Sequence, residues 1–248
     1  MSLQHAPVIE LDFTDSTNNY AMQLIDGNKA QHGMTIVARS QTNGKGQRGR
    51  TWVDVPGESL LMSVIVVPHQ SISEQFMFNA AIALSIANVL QKLNEEWKVN
   101  IKWPNDIIVN DKKAGGILIE NILRGAAWSS SVIGLGLNVN QSLFPDELPY
   151  AVSLKIASGK NYLITELVDL IRTGILKGVD ERKSSEEILF EYNKLLFKKG
   201  DYQYFSDQTQ RWRARILSVT NEGMLVVQLE DCSIVNYYHG LAAWEYGG

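Results

Sequence analysis

A single cysteine, Cys232, stands among 248 residues. One thiol cannot form an intrachain disulfide or build a cysteine-rich zinc site, and such a chain suits a reducing cytosol. The four histidines, His5, His32, His69 and His239, have no metal-ligand spacing, and no Ser-His-Asp or Cys-His arrangement stands out. The first ten residues hold no basic stretch followed by an apolar one, and the longest apolar run, residues 60–67, is too short to cross a bilayer. A cytoplasmic, unexported protein with no membrane partner is expected. Positive charge is not in excess either: 23 lysines and arginines face 27 acids, a net charge of −4. That excludes a general nucleic-acid or anionic-membrane coat, so any anion site must be local. Internal repeats and low-complexity segments are also missing.

What is present is the profile of a globular chain, 45% hydrophobic and 20% charged, large enough for one substantial core and a smaller one. Alternation over residues 8–13 and 34–40 predicts strands, and the β-branched run 59–67 predicts a fully buried one ended by Pro68. Asp15-Ser16-Thr17-Asn18 supplies N-cap candidates for a short helix that Gly27-Asn28 closes. Apolar steps of three and four over residues 71–94 predict a long core-facing helix. Residues 99–103 and 107–109 read as strand halves broken at Pro104, which has no amide hydrogen for a ladder. Turns at Asn110-Asp111 and Arg124-Gly125 lead into strands 116–122 and 128–139, an antiparallel meander. Helical patterns return at 165–179 and 184–196, the second with Glu186 and Glu187 in its first turn. Short strands at 214–219, 224–229 and 233–238 then predict a small β-domain.

Three constellations carry chemistry. From Arg39 to Arg50 there are four basic residues and no acid, a local charge of +4 in a chain of net −4. Within it Gly44, Gly46 and Gly49 match G-x-G-x-x-G, and glycines allow backbone to approach an anion closely. A dinucleotide-binding loop would start a helix here, but Thr51 to Gly57 is not helical, and no kinase companions or Walker A sequence are present. A solvated loop is the plain alternative; Trp52, a large aromatic beside the cations, weighs toward a base or cofactor ring. The second constellation is Lys102-Trp103-Pro104-Asn105-Asp106, where charge, an aromatic and polar groups meet at a strand interruption. Asn105 or Asp106 could equally satisfy local backbone. Shortly after it, Lys113 enters against Gly115-Gly116, either a water-facing turn residue or an ammonium aimed into a site. In the third, Ile133, Leu135, Leu137 and Val139 share one strand face and Gly134, Gly136 and Asn138 the other. Two glycines weaken a strand unless something approaches closely, and a planar ligand or a tight helix contact would each explain them.

Taken in order, Asp15-Ser16-Thr17-Asn18, Gln41 followed by Gly44-Lys45-Gly46-Gln47-Arg48-Gly49-Arg50-Thr51-Trp52, Lys102-Trp103-Pro104-Asn105-Asp106, residues 113–120 and Gly134-Leu135-Gly136-Leu137-Asn138 resemble the motif series of biotin protein ligases. The resemblance implies an α/β fold: a mixed, largely antiparallel sheet with helices over 1–198, then a small C-terminal SH3-like β-barrel over 199–248. It implies Mg-ATP, activation of biotin to biotinyl-5′-AMP, and transfer to one lysine of a biotin carboxyl carrier protein domain. By the same resemblance Lys113 is the catalytic cation, with Arg48 and Arg50 holding phosphate. Ser16, Thr17, with neighbouring Asn18, and Gln41 match the biotin ureido positions. Gly44, Lys45, Gly46, Gly116 and Gly136 line the pocket, Trp52 and Asn138 face adenine, and Asn105 or Asp106 lies near the nucleotide or metal end.

One departure stands in the loop. Many members have G-R-G-R where this chain has Gly44-Lys45-Gly46-Gln47, so a neutral side chain replaces an arginine that commonly clamps the adenylate. A length of 248 leaves no room for the N-terminal DNA-binding domain of some bacterial members, so a ligase without DNA binding, monomeric or homodimeric, is expected. A lipoate ligase or octanoyl transferase is the nearest alternative, since those enzymes resemble the same fold; a nucleic-acid-binding module is a more distant one.

Overall fold

The computed structural model describes residues 6–125, 127–181 and 183–246; His5 lies outside them. The main sheet has seven strands, β1 (Val8–Thr14), β2 (Thr35–Gln41), β3 (Ser59–Val66), β4 (Val99–Lys102), β5 (Asp106–Val109), β6 (Lys112–Arg124) and β7 (Ala127–Asn138). Their order is β1-β2-β3-β7-β6-β5-β4. Only β1 and β2 pair in parallel, joined by the helix α1 (Thr17–Asp26); every other pairing is antiparallel. β3 is buried at all eight positions because both faces of the sheet are covered, and its two serines, Ser59 and Ser63, are hydrogen-bonded there. Leu60, Met62, Val64 and Val66 enter the large core, while Ile65 joins Ala21, Ile25, Met34, Ile36 and Val132 in a smaller one beneath α1.

The large core is roofed by α2 (Gln75–Leu93) and α4 (Ile164–Asp180), with α3 (Leu154–Ser158) and α5 (Ser185–Lys194) at its margins. Residues 72–93 are long and apolar enough to cross a bilayer by length and composition alone. Their apolar side chains, Met77, Phe78, Ile82, Ile86 and Leu90 among them, are instead buried against the sheet and α4. α2 and α4 approach closely because α4 carries glycines at the crossing: a Cβ on Gly174 would lie 2.6 Å from Val89 Cγ2, and one on Gly178 would lie 2.1 Å from Ser85 Oγ. The expected acidic start of α5 is present as a capping box between Ser184 and Glu187.

One expectation is corrected. Residues 99–103 and 107–109 are not halves of a single interrupted strand: β4 and β5 pair with each other antiparallel, with Lys102 opposite Asp106. The Trp103–Pro104 peptide is cis and the chain reverses there, so the proline marks a hairpin turn. The tail forms a second antiparallel sheet from β8 (Tyr202–Ser206), β9 (Arg211–Val219), β10 (Leu225–Leu229), β11 (Ile234–Tyr237) and β12 (Ala243–Trp244), ordered β11-β10-β9-β8-β12. Its inner residues Phe205, Ala214, Ile216, Leu225 and Val227 are continuous with the large core. Three elements had no forecast: β8, α3 and the two-residue β12, the last two too short to display a period.

The glycine contact between α2 and α4 is testable. Gly178→Val should cost about 1–3 kcal/mol of stability by overpacking, read as a lower urea midpoint. An unchanged midpoint would contradict the contact.

Candidate active site

The sheet geometry places the first constellation's neighbours, not the loop alone, around a cavity of about 420 Å³. At one end lies the start of α1. Ser16, its N-cap residue, makes no capping bond with its hydroxyl and is almost fully buried on the cavity wall. Thr17 donates from its backbone N (2.7 Å) and its hydroxyl (3.2 Å) to Gln41 Oε1 at the end of β2. Asn18 Nδ2 donates to Glu120 Oε2 at 2.7 Å, and Ser63 Oγ donates to Asn18 Oδ1 at 2.6 Å while lying 2.7 Å from Thr17 Oγ1. The parallel β1-α1-β2 unit therefore delivers a buried cluster of donors and acceptors held by side chains from four elements.

The floor is the glycine face of β7, continued on β6 by Gly116 and Leu118. A Cβ on Gly134 would lie 2.3 Å from Asn18 Oδ1, and one on Gly136 would lie 2.5 Å from the Trp52 ring, so only glycine permits either approach. Gly116, paired with Gly136, extends this floor and also meets the Trp52 ring. The basic loop closes over it as a hairpin: Gly46 N donates to Arg50 O, Trp52 N donates to Gly44 O, and Lys45 bridges Thr51. At its tip a 3₁₀ turn spans Gln47–Gly49, with Arg48 at φ 56°. Trp52 Nε1 and Gln47 Oε1 are buried polar atoms without a protein partner.

The opposite wall comes from the β4–β5 hairpin, the start of β6 and, unexpectedly, the C-terminal sheet. Lys113 Nζ pairs with Asp106 Oδ1 at 2.7 Å, and the Tyr246 hydroxyl donates to Asp106 Oδ2. Asn105 Nδ2 donates to Ile117 O at 2.6 Å, so its amide is engaged in holding the hairpin to β6. Lys102 is 5% exposed, donates to Trp244 O at 3.0 Å and lies over the Tyr246 ring. Burial pulls its pKa down to about 8, with Asp106 opposing the shift. His239 packs edge-on against Trp103, and burial together with Arg48 and Arg50 lowers its pKa. Gly240 leaves the space that the Arg48 guanidinium occupies. Lys45, Arg48, Arg50, Lys102 and Lys113 thus line a cavity whose lining holds one carboxylate, Asp106; Lys45 pairs with Glu120 just behind it at 3.5 Å, and the cations that remain in excess suit a polyanion.

Of the residues singled out from the sequence, Ser16, Thr17, Asn18, Gln41, Lys45, Gly46, Gln47, Arg48, Arg50, Trp52, Asn105, Lys113, Gly116 and Gly136 all line this cavity. Two sit behind it. Gly44 packs against the Trp52 backbone, and Asn138 is buried, donating to Val152 O at 3.3 Å. Other contributors, Ser63, Glu120, Lys102, His239, Gly240 and Tyr246, lay outside the chosen set, and Asp106 was named only as an alternative to Asn105. Ser63 was hidden in an apolar run, and Glu120 ended a motif whose other residues drew attention. Lys102 and Asp106 belong to a noted motif, but nothing in sequence distance joins them to Tyr246.

No group of three or more potential metal ligands occurs among the described residues. Magnesium needs no such cage when it arrives on phosphates with one or two carboxylates to receive it. Asp106 is the carboxylate in the lining, and its oxygens already bind the Lys113 ammonium and the Tyr246 hydroxyl, so a nucleotide-borne ion would be carried by the phosphates and would have to share that carboxylate.

Comparison with known proteins places this geometry. The family model described as the biotin/lipoate A/B protein ligase family matches residues 10–138. The bifunctional ligase/repressor BirA of Bacillus subtilis is 38% identical over 156 residues, 60% of this chain and 46% of that protein. The biotin–[acetyl-CoA-carboxylase] ligase of Paracoccus denitrificans is 34% identical over 128 residues, 51% of this chain and 52% of that one. The chain therefore spans about half the length of these curated relatives. The solved biotin protein ligase of Aquifex aeolicus, in complex with biotin and ATP, superposes with a TM-score of 0.79 at 23% identity, covering 96% of this chain and 98% of that one. That likeness bears out the expected fold, a mixed, largely antiparallel sheet with helices and a C-terminal β-sheet. With more than half of its length matched by one family model, the chain belongs to the biotin/lipoate A/B protein ligase family.

Proposed function

We propose that the protein is a biotin–[acetyl-CoA-carboxylase] ligase: it activates biotin with ATP to biotinyl-5′-AMP and transfers the biotin to one lysine of a biotin carboxyl carrier protein domain. The observation that carries the reading is the two-ended cavity, with a hydrogen-bonding cluster at the head of α1 and five cations around a glycine floor. A ureido ring needs donors and acceptors together, which Ser16, Thr17, Asn18 and Gln41 supply; a dithiolane or a plain acyl chain needs neither. The name of the Paracoccus denitrificans relative points the same way.

In this reading the biotin carboxylate oxygen attacks the α-phosphorus of ATP, a P–O bond forms, and the bond to pyrophosphate breaks. A carboxylate is already ionised at neutral pH, so no general base is required. The task is to bring an anion to a polyanion, and Lys113, with Arg48 and Arg50, offsets that repulsion and the charge on the departing pyrophosphate. Magnesium would supply further charge neutralisation on the phosphates. The acceptor amine then attacks the acyl carbon and AMP leaves. Until it arrives the mixed anhydride must be kept from water, a role for the loop carrying Gln47 and Trp52. A cytoplasmic location and a monomer or homodimer belong to the same reading.

Biotin-dependent ATP/pyrophosphate exchange, run beside lipoate and octanoate, tests the substrate. Exchange should require biotin; exchange with lipoate and none with biotin would make this a lipoate ligase. Lys113→Ala should lower the exchange rate by about 10²–10³-fold with the fold intact by circular dichroism, and full activity in that variant would remove Lys113 from its role. Gln47→Arg restores a charged clamp and should slow release of biotinyl-AMP about tenfold in a filter-binding chase. Unchanged release would show that position 47 does not touch the adenylate.

A further inference from the structure

The tail that follows the C-terminal sheet reaches into the catalytic wall, and its last described residue is joined to Lys113 through a single carboxylate. Asp106 is held from both sides, Oδ1 by the Lys113 ammonium at 2.7 Å and Oδ2 by the Tyr246 hydroxyl. Tyr246 is itself fixed. Its ring stacks on Tyr150 with centroids 5.8 Å apart and planes at 17°, and the Lys102 ammonium lies 4.0 Å from its centroid. Lys102 in turn donates to Trp244 O, so the same buried cation binds the tail's backbone and its ring. The Tyr150 carbonyl accepts from Lys113 N at 2.7 Å, which ties the stacking partner of Tyr246 to the backbone of the lysine itself. A phenol is protonated at neutral pH, so the Tyr246 hydroxyl is a donor to Asp106.

A lysine ammonium sits on a flexible four-carbon stem and takes whatever position its counter-ion sets. A carboxylate with one free oxygen can rotate and carry the ammonium with it; one that accepts from a fixed phenol cannot. From this geometry we infer that Tyr246 is a positioning residue for adenylation: it acts through Asp106 to hold Lys113 where the carboxylate and α-phosphate must meet. This rests on the reading of the cavity as an acyl-adenylate-forming site. It makes the C-terminal sheet part of the first half-reaction, although the catalytic motifs all lie before residue 140.

Tyr246→Phe deletes the hydroxyl and keeps the ring on Tyr150 and Lys102. The full chain, without ligands, is treated with an acylating amine reagent and the labelling of Lys113 is read by peptide mass spectrometry against its exposed neighbour Lys112. The variant should raise the Lys113-to-Lys112 ratio about threefold, because a loosened ion pair exposes the amine. Asp106→Asn should raise it at least as much, and Tyr246→Phe added to Asp106→Asn should add nothing, since the effect runs through that carboxylate. In the exchange assay Tyr246→Phe should lower kcat about tenfold with the biotin KM within about twofold. An unchanged labelling ratio in Tyr246→Phe, or an additive effect in the double variant, overturns the inference. If the wild-type protein shows no biotin-dependent exchange, the substrate reading fails, and the labelling arm still decides whether Tyr246 positions Lys113.

Discussion

Everything in the cavity depends on Gly134 and Gly136 of β7, where the sheet carries no side chain. At Gly134 a methyl group would overlap the Asn18 amide, and at Gly136 it would overlap the indole of Trp52. Because both positions are bare, the N-terminal turn of α1 can press onto the first and the basic loop can fold its aromatic onto the second. Gly116, cross-strand to Gly136, widens the same floor. Glycines weaken a strand that lacks other support; here β7 lies between β3 and β6, paired along most of its length on both sides, so the ladder supplies the order that side chains do not. The opposite face of β7, with Ile133, Leu135 and Leu137, is buried in the large core. One strand is thus packed into the core on one side and, on the other, holds the Asn18 amide and the Trp52 ring against its glycines.

Above that floor the electrostatics are lopsided by design of the topology. The chain is net negative, yet five cations converge on one cavity and a single carboxylate shares its lining. Two of the five come from the β4–β5 hairpin and the start of β6, and three from the loop after β2. The C-terminal sheet contributes none. Its part is to enclose: Gly240 gives Arg48 a place to lie, Trp244 O accepts from Lys102, and Tyr246 anchors Asp106. Enclosure raises the worth of each charge, because fixed charges in a water-poor site act with less screening than on an open surface.

The order of strands and helices was largely legible, because long periodic segments such as residues 75–93 and the β-branched strand β3 state their burial directly. So were most of the cavity residues, since glycine, lysine and asparagine in strand positions are locally out of place and draw attention. The hairpin at Pro104 was misread because a proline break looks alike in one dimension whether the chain continues or reverses; only the pairing of β4 with β5 decides it. Asn138 shares the face of Gly134 and Gly136 by alternation, yet at the strand's end it turns into a buried bond with Val152. Tyr246 left no local signal at all. It is 140 residues from the carboxylate it binds, and a contact of that range is a property of packing, with no period or spacing to announce it.

The central claim is that the glycines of β7 let the Asn18 amide and the Trp52 ring lie against the sheet and so leave the space above them for the ligand, and calorimetric titration of biotin into Gly136→Ala tests it most directly. The added methyl must lift the Trp52 ring or fill the space above the floor. Biotin affinity should fall about tenfold or more, equivalent to at least about 1.4 kcal/mol, while the melting temperature stays close to that of the unaltered protein. Biotin binding as tight as in the unaltered protein would show that the ligand does not use this floor, and the account of the cavity would fail with it.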